Sequence, residues 1–369
     1  MAVPSRTDDG VLDAVVVGAG QGGLSASFHL RRRGLEHVVL DAETAPGGAW
    51  QNRWDSLTMH DVHGVADLPG GPAPERGPER ANVVVPRWFG QYERAHALPV
   101  LRPVRVDRVE RAGDLLVVHA GDRSWTTRTV VNATGTWTRP FVPRYPGQET
   151  FRGEQLHTVG YPGAEHFRGR RTLVVGGGAS AVQLLGEIRP VTETVWVTRR
   201  EPVWRDRLED VDGRAAIARV QERVRRGLPP GSVVSVTGIG LRPQEAEAAR
   251  LGAYERRPMF ARIEADGVRW ADGGFEPVDV VLWATGFRAA LGHLAPLGLR
   301  SDRGGITLLT STGDVQSATT VAADPRVQLV GYGPSASTIG GNRAGRAAAA
   351  AVEKWVRGGR PGRALAAGA

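Results

Sequence analysis

The chain contains one glycine-rich pattern twice, and this repetition limits its possible folds more than any other feature. Each copy follows a short apolar run and opens a stretch with helical periodicity. The first copy comprises Gly18, Gly20 and Gly23, and the second comprises Gly176, Gly178 and Ala181. Small residues at this spacing permit a tight turn and close packing of a helix on a strand. The sequence therefore predicts two strand–turn–helix–strand units in an α/β fold.

The residue that ends the second strand of each unit differs in charge between the two copies. Asp41 stands 23 residues after Gly18, whereas Arg199 stands 23 residues after Gly176 and is followed by Arg200. Backbone N–H groups of such glycine turns bind a pyrophosphate, and a terminal carboxylate accepts hydrogen bonds from ribose hydroxyls. Two guanidinium groups suit the additional phosphate of NADP. We predict FAD at the first unit and NADPH at the second, although solvated surface arginines remain an alternative at 199 and 200.

Composition narrows the class of protein. The 369 residues are enough for two domains, and 41% of them are hydrophobic, as in globular chains. The absence of cysteine excludes disulfides, thiolate metal sites and a dithiol redox centre, and we predict no metal site. No apolar run approaches the roughly 20 residues of a membrane span, and the first ten residues do not form a secretory signal. The net charge of +8 comes from scattered arginines. We therefore expect a cytoplasmic protein without a nucleic-acid partner.

A third pattern lies just before the second glycine copy. It consists of Phe151, Gly153, His157 and Tyr161. Together with the two glycine copies, it resembles the flavin-containing monooxygenase family of flavoproteins with two dinucleotide-binding domains. Related Baeyer–Villiger enzymes carry tryptophan at the position of Tyr161. The resemblance implies that His157 links the domains and couples the cofactors rather than taking part in the chemistry.

Further segments share this resemblance. Gly48 and Trp50 match a segment that lies along FAD, and Asn132–Gly135 and Ala284–Gly286 match paired crossovers between the domains. The resemblance implies that a helix beginning near Asn342 points its positive end at the flavin. The other cofactor-binding residues expected from these motifs are Gln21, Gly22, Thr134, Gly135, Ser180, Thr285, Gly286, Thr338 and Ile339.

One position departs from the family pattern. Many members have an asparagine near the flavin, and aligning their local pattern onto residues 54–57 places His60 there. Histidine donates hydrogen bonds and titrates near neutral pH, so His60, with Asp61 and His63 nearby, is a candidate catalytic residue. An ordinary loop histidine is the alternative.

These features predict two Rossmann-like domains. We expect residues 1–150 and 280–369 to form the FAD domain, with an NADPH domain inserted at 151–279. The resemblance implies a monooxygenase that forms a flavin hydroperoxide from NADPH and O₂ and oxygenates a small organic substrate at N, S or C. An NADPH-dependent flavin reductase or oxidase, and a Baeyer–Villiger monooxygenase, remain alternatives. The substrate and the oligomeric state are left open.

Overall fold

The computed structural model describes residues 10–62, 65–204, 213–231, 241, 245–309 and 318–358, with backbone only at 213–217, 338 and 339. The helices are α1 (Gln21–Arg32), α2 (Ala81–Ala95), α3 (Ala179–Ile188), α4 (Gly213–Arg225), α5 (Ala246–Arg250) and α6 (Thr338–Arg357). None of the helices described is long and apolar enough to cross a bilayer.

The strands form three sheets. They are β1 (Leu12–Val17), β2 (His37–Leu40), β3 (Val100–Leu101), β4 (Arg108–Ala112), β5 (Leu115–Ala120), β6 (Arg123–Asn132), β7 (Glu154–His157), β8 (Thr172–Val175), β9 (Thr194–Val197), β10 (Arg256–Arg257), β11 (Arg262–Glu264), β12 (Gly267–Arg269), β13 (Phe275–Pro277), β14 (Val280–Trp283) and β15 (Val327–Leu329).

The first sheet has the order β3-β2-β1-β6-β5-β4, and β15 pairs with the end of β6. Strands β1, β2, β3, β6 and β15 run parallel, whereas β4 and β5 continue the sheet as antiparallel strands. The β1 segment Ala14–Val17 is buried, as a strand covered on both faces must be. Helix α1 leaves the carboxyl end of β1, so the predicted first unit is present.

The second sheet has the order β10-β9-β8-β14-β7, with all strands parallel. Helix α3 follows β8 and leads to β9, which repeats the first unit. A small antiparallel sheet of β11, β12 and β13 packs beside it. Strand β14 belongs to this second sheet, although the predicted limit at 280 assigned it to the FAD domain. The domain limits stay predictions.

One helix begins earlier than expected. Helix α6 begins at Thr338 rather than near Asn342, because the Ser337 hydroxyl accepts a 3.0 Å hydrogen bond from the Gly340 N–H and caps the helix. Helix α2 contains Pro86 in its second turn.

Helices α1 and α6 pack closely, and a glycine makes this possible. A Cβ added at Gly345 would stand 2.6 Å from the Ser25 hydroxyl and 2.7 Å from the Ala26 nitrogen. The Ser25 hydroxyl donates a 3.0 Å hydrogen bond to the carbonyl of Asn342. Helix α6 is therefore fixed against α1.

A histidine fastens the 3-10 turn Gly292–Leu297 to the end of β6. The His293 Nε2 donates a 2.7 Å hydrogen bond to the Asn132 side-chain oxygen. Burial lowers the pKa of His293 from 6.5 to about 4. The ring is therefore neutral throughout the physiological pH range.

We expect Gly345→Ala to lower the free energy of unfolding by about 1–2 kcal/mol. The added methyl group overpacks the α1–α6 contact, and this cost exceeds the roughly 1 kcal/mol gained in helix propensity. Gly341→Ala is the matched control, because a Cβ there would meet its nearest atom, the Gly22 Cα, at 3.7 Å. Urea unfolding should separate the two variants, and equal shifts of the same sign would contradict the packing argument.

Stability should fall as the pH drops from about 6.5 towards 4. The unfolded state protonates His293 over this range while the folded state does not, which costs on the order of 3 kcal/mol at the lower end. His293→Gln retains a hydrogen-bond donor but does not titrate, so its free energy of unfolding should depend less on pH. Burial also lowers the pKa of His29, His37 and His157, so these residues contribute to the slope that remains. Denaturant titrations with identical pH slopes for the two proteins would exclude this role.

Candidate active site

A cleft of about 430 Å³ opens at the carboxyl ends of the first sheet's parallel strands, the edge where open α/β sheets bind ligands. Its walls include the first glycine turn, the crossover after β6 and the start of α6. Of the predicted cofactor residues, the lining contains Gly18, Gly20, Gln21, Gly22, Asp41, Gly48, Trp50, Thr134 and Gly135.

The first glycine turn has the shape that a dinucleotide requires. Gly18 adopts φ +97°, and a Cβ there would stand 2.7 Å from the Ala133 carbonyl oxygen. A Cβ at Gly23 would collide with the Gly18 carbonyl, so the third glycine brings α1 against the turn. A Cβ at Gly20 would meet nothing within 4 Å. Gly20 caps α1, so that open space lies at the positive end of the helix, where a pyrophosphate fits.

The second glycine turn repeats this arrangement on the second sheet. Gly176 has φ +143°, and a Cβ there would collide with the Ala284 carbonyl, as at Gly18 and Ala133. Gly178 caps α3 and, like Gly20, faces open space. Ala181 is fully buried at the position of Gly23, and Ser180 is half-buried in the first turn of α3. Both turns therefore fit a dinucleotide, and each abuts a crossover.

The residues that end the second strands lie as the sequence predicted. Asp41 is only 5% exposed and follows β2, whereas Arg199 and Arg200 are exposed after β9. A third arginine, which the sequence did not single out, lies beside them: Arg256 Nε donates a 2.8 Å hydrogen bond to the Thr198 hydroxyl. This end of the second sheet is positively charged.

Asp41 belongs to a buried ion-pair network. Arg102 Nε donates to Asp41 Oδ2 at 2.7 Å, and the Arg102 fork binds both Glu93 oxygens at 2.7 Å each. Burial acts to lower the pKa of Arg102, but Glu93 and then Asp41 raise it overall. Among the described residues, the ion pair uses only one Asp41 oxygen, so Oδ1 is available to a ribose hydroxyl.

The third pattern joins the second sheet to its crossover. A Cβ at Gly153 would collide with the Phe151 ring and the Asp279 carbonyl. The Val159 N–H donates to His157 Nδ1 at 3.2 Å, so His157 carries its proton on Nε2 and donates to the Gly286 carbonyl at 3.0 Å. Burial lowers the pKa of His157, which keeps the ring neutral.

Two aromatic rings connect His157 to the cleft. The His157 ring packs edge-on against Phe287, and Phe287 stacks on Trp137 with ring centroids 5.2 Å apart. Phe287 and Trp137 line the cleft and come from the two crossovers. Thr285 and Gly286 are not part of the lining, and the Thr285 hydroxyl donates to the Phe141 carbonyl.

Tyr161 takes part in a link between α3 and the segment after Trp50. Its hydroxyl donates to Glu187 Oε2 at 3.2 Å, and the same carboxylate accepts from Trp54 Nε1 at 3.2 Å and Ser56 Oγ at 2.6 Å. Burial raises the pKa of Glu187 although all three donors lower it. One carboxylate thus joins the helix of the second glycine turn to the wall of the cleft.

His60 is not brought to the cleft. It is exposed in a turn, where its backbone N–H bonds to the Gly77 carbonyl at 2.9 Å, and it is not among the residues that line the cleft. Asp61 accepts from the Thr58 hydroxyl, and His63 lies outside the described residues. Thr338 and Ile339 form the first turn of α6, between the lining residues Ser337 and Gly341, but their side chains are not described. A catalytic role of His60 stays a prediction.

Sequence reasoning did not identify Arg53, which lines the cleft. Its guanidinium carbon lies 4.5 Å from the Trp137 ring centroid and 5.6 Å from that of Trp50. Burial lowers the pKa of Arg53 to about 10, and its Nε has no hydrogen-bond acceptor among the described residues. Only its position three residues after Trp50 could have drawn attention to it.

Comparison with known proteins agrees with this architecture. Residues 15–235 match the family of pyridine nucleotide-disulphide oxidoreductases. A solved flavin-containing monooxygenase from Stenotrophomonas maltophilia is 40% identical, with a TM-score of 0.80 over 94% of this chain and 99% of that one. A ferredoxin–NADP reductase from Salinispora arenicola is 30% identical over 89% of this chain and 92% of its own length.

The matches to several curated relatives span only part of those proteins. A Baeyer–Villiger monooxygenase from Streptomyces coelicolor is 29% identical over 58% of this chain, and the match spans 42% of that enzyme. The match to an uncharacterised Bacillus velezensis oxidoreductase spans 59% of the relative. The disulphide chemistry in the first family's description has no counterpart here, since the sequence contains no cysteine. With its two glycine turns, its paired crossovers and a likeness that spans almost the whole chain, the protein belongs to the flavin-containing monooxygenase family.

Proposed function

We propose that the protein binds FAD in the cleft, takes hydride from NADPH and oxygenates a small organic substrate with O₂. One observation carries this proposal: two glycine turns of the same shape abut two crossovers whose aromatic residues meet at one cleft. The turns end in opposite charges, an aspartate and an arginine pair. An FAD–NADPH pair requires this combination of a ribose-binding carboxylate and a phosphate-binding cation.

The residues for FAD are those of the first turn and the cleft. Backbone N–H groups at Gly20–Gly22 and the positive end of α1 would hold the pyrophosphate, and Asp41 would bind the adenosine ribose. Helix α6, capped by Ser337, starts at the cleft and would direct its positive end at the flavin. Bound FAD would supply hydride acceptance and oxygen activation.

The residues for NADPH are those of the second turn. Gly178 and the start of α3 would receive the pyrophosphate, and Arg199 and Arg200 the additional phosphate. The described histidine rings near the cleft, His157 and His293, are neutral near pH 7 because burial lowers their pKa values. The protein's task would then be positioning and water exclusion rather than proton transfer.

A reductase that passes electrons to another acceptor is the second candidate. The similarity to a ferredoxin–NADP reductase over 89% of this chain favours it. Baeyer–Villiger chemistry is less favoured, because Tyr161 stands where those enzymes carry tryptophan. Cytoplasmic location and the lack of a nucleic-acid partner stay predictions.

Arg199→Gln and Arg200→Gln should each raise the KM for NADPH by about 10- to 100-fold, because each removes a charge-assisted hydrogen bond to phosphate. The KM for NADH should stay within about twofold. Arg303→Gln, at an exposed site outside the second sheet, is the matched control. Steady-state reduction assays with both coenzymes give the two KM values. An equal increase in the KM for NADH and for NADPH would argue against phosphate recognition.

Rapid mixing distinguishes the two candidate activities. After anaerobic reduction by NADPH, a monooxygenase mixed with O₂ should show a transient near-ultraviolet absorbance before the oxidised flavin spectrum returns. NADP⁺ should prolong this transient. A direct return to the oxidised spectrum would favour the reductase, and failure of NADPH to reduce the flavin would overturn both.

A further inference from the structure

The side chain of Arg53 is half-buried with its Nε atom fully buried, and its guanidinium lacks a counter-ion in the part of the chain that is described. No ion pair or side-chain hydrogen bond involves it there, and its Nε has no acceptor. The carboxylates that line the cleft are Asp41 and Glu43, and Asp41 is already paired with Arg102. A buried charge without a partner is costly, so proteins retain one where a ligand completes it.

The surroundings of Arg53 are aromatic. The rings of Trp50, Trp54 and Trp137 lie 4.5–6.0 Å from the guanidinium carbon. Phe287 stacks on Trp137 and also lines the cleft. Cation–π contacts hold the guanidinium in place but do not neutralise it or satisfy its N–H groups. A ligand that completes Arg53 must therefore be an anion with coplanar acceptor atoms that fits next to apolar ring faces.

The dinucleotide phosphates have other binding groups. The first pyrophosphate would lie on α1 at Gly20, and the second on α3 at Gly178 with the arginines after β9. Arg53 instead touches Trp137, on the crossover after β6, where the two halves of the chain meet. A single negative charge neutralises the guanidinium, whereas a dianionic phosphate would leave excess charge among aromatic rings.

We propose that Arg53 binds a carboxylate group of the substrate, so that the enzyme acts on aromatic or other apolar carboxylic acids. This inference rests on the proposed function, because it assigns the substrate class of the same cleft. The guanidinium fork accepts a carboxylate through two parallel hydrogen bonds, and this orients the rest of the molecule along the aromatic wall.

Binding to the oxidised, FAD-loaded protein tests the proposal without turnover. Benzoate, phenylacetate and indole-3-acetate are titrated against their amides, with flavin absorbance and heat as readouts. At least one acid should bind 10-fold or more tighter than its amide. In Arg53→Met, the affinity for that acid should fall about 10- to 100-fold, while the affinity for the amide stays within about twofold. Arg87→Met removes an equal charge from an exposed site on α2 and should change neither.

The other outcomes have defined meanings. The proposal would be overturned if none of the three acids bound tighter than its amide. It would also be overturned if Arg53→Met kept an unchanged preference for the acid. It would also be overturned if a folded Arg53→Met protein lost affinity for FAD or NADP⁺ as strongly as for the acid, since the occupant would then be a cofactor phosphate. If circular dichroism shows Arg53→Met unfolded, Arg53→Lys replaces it. Lysine keeps the charge but loses the fork, so the acid preference should fall at least threefold, and an unchanged preference would again overturn the proposal. Because no NADPH or O₂ is present, these results are independent of whether the oxygenation reaction itself is found.

Discussion

The arrangement of the molecule depends on two close backbone approaches, in which each glycine turn meets the carbonyl group of a crossover. Gly18 faces Ala133 and Gly176 faces Ala284, and neither position has room for a side chain. Each approach aligns a helix start, a strand end and a crossover at one edge of a sheet. The shape of each glycine turn and the position of the crossover beside it therefore depend on the same backbone contact.

Two half-buried arginines, Arg53 in the lining of the cleft and Arg102 beside Asp41, are in opposite electrostatic situations. Arg102 is bound by two carboxylates, which raises its pKa although it is buried. Arg53 has aromatic rings as neighbours, and burial lowers its pKa to about 10. The first cation serves the scaffold, since it orients Asp41. Arg53 has no such partner among the described residues and remains available to a ligand, so one arginine stabilises the fold and the other is suited to recognition.

The sequence predicted much of this fold because its signals are local. A glycine turn, the strand before it and the charge 23 residues later lie in one short segment, so both cradles and the positions of Asp41, Arg199 and Arg200 could be inferred. The helix start at Thr338 was missed because its signal, the Ser337 cap, lies in a stretch without apolar periodicity. Interactions between distant residues gave no such signal. Arg102 and Asp41 are 61 positions apart and Trp54 and Glu187 are 133 apart, so only the folded chain brings them together.

The Glu187 carboxylate bears on the position at which this chain has Tyr161 and Baeyer–Villiger relatives have tryptophan. Glu187 lies on α3, the helix that starts at the second glycine turn. Its carboxylate accepts hydrogen bonds from the Tyr161 hydroxyl, an indole N–H and a serine hydroxyl. Tryptophan also carries one donor, but on a larger ring and at a different distance from the backbone. An exchange between the two would preserve the hydrogen bond only if the helix moved relative to the wall of the cleft. The size of the side chain at this position therefore bears on how closely α3 packs against the segment that contains Trp54 and Ser56.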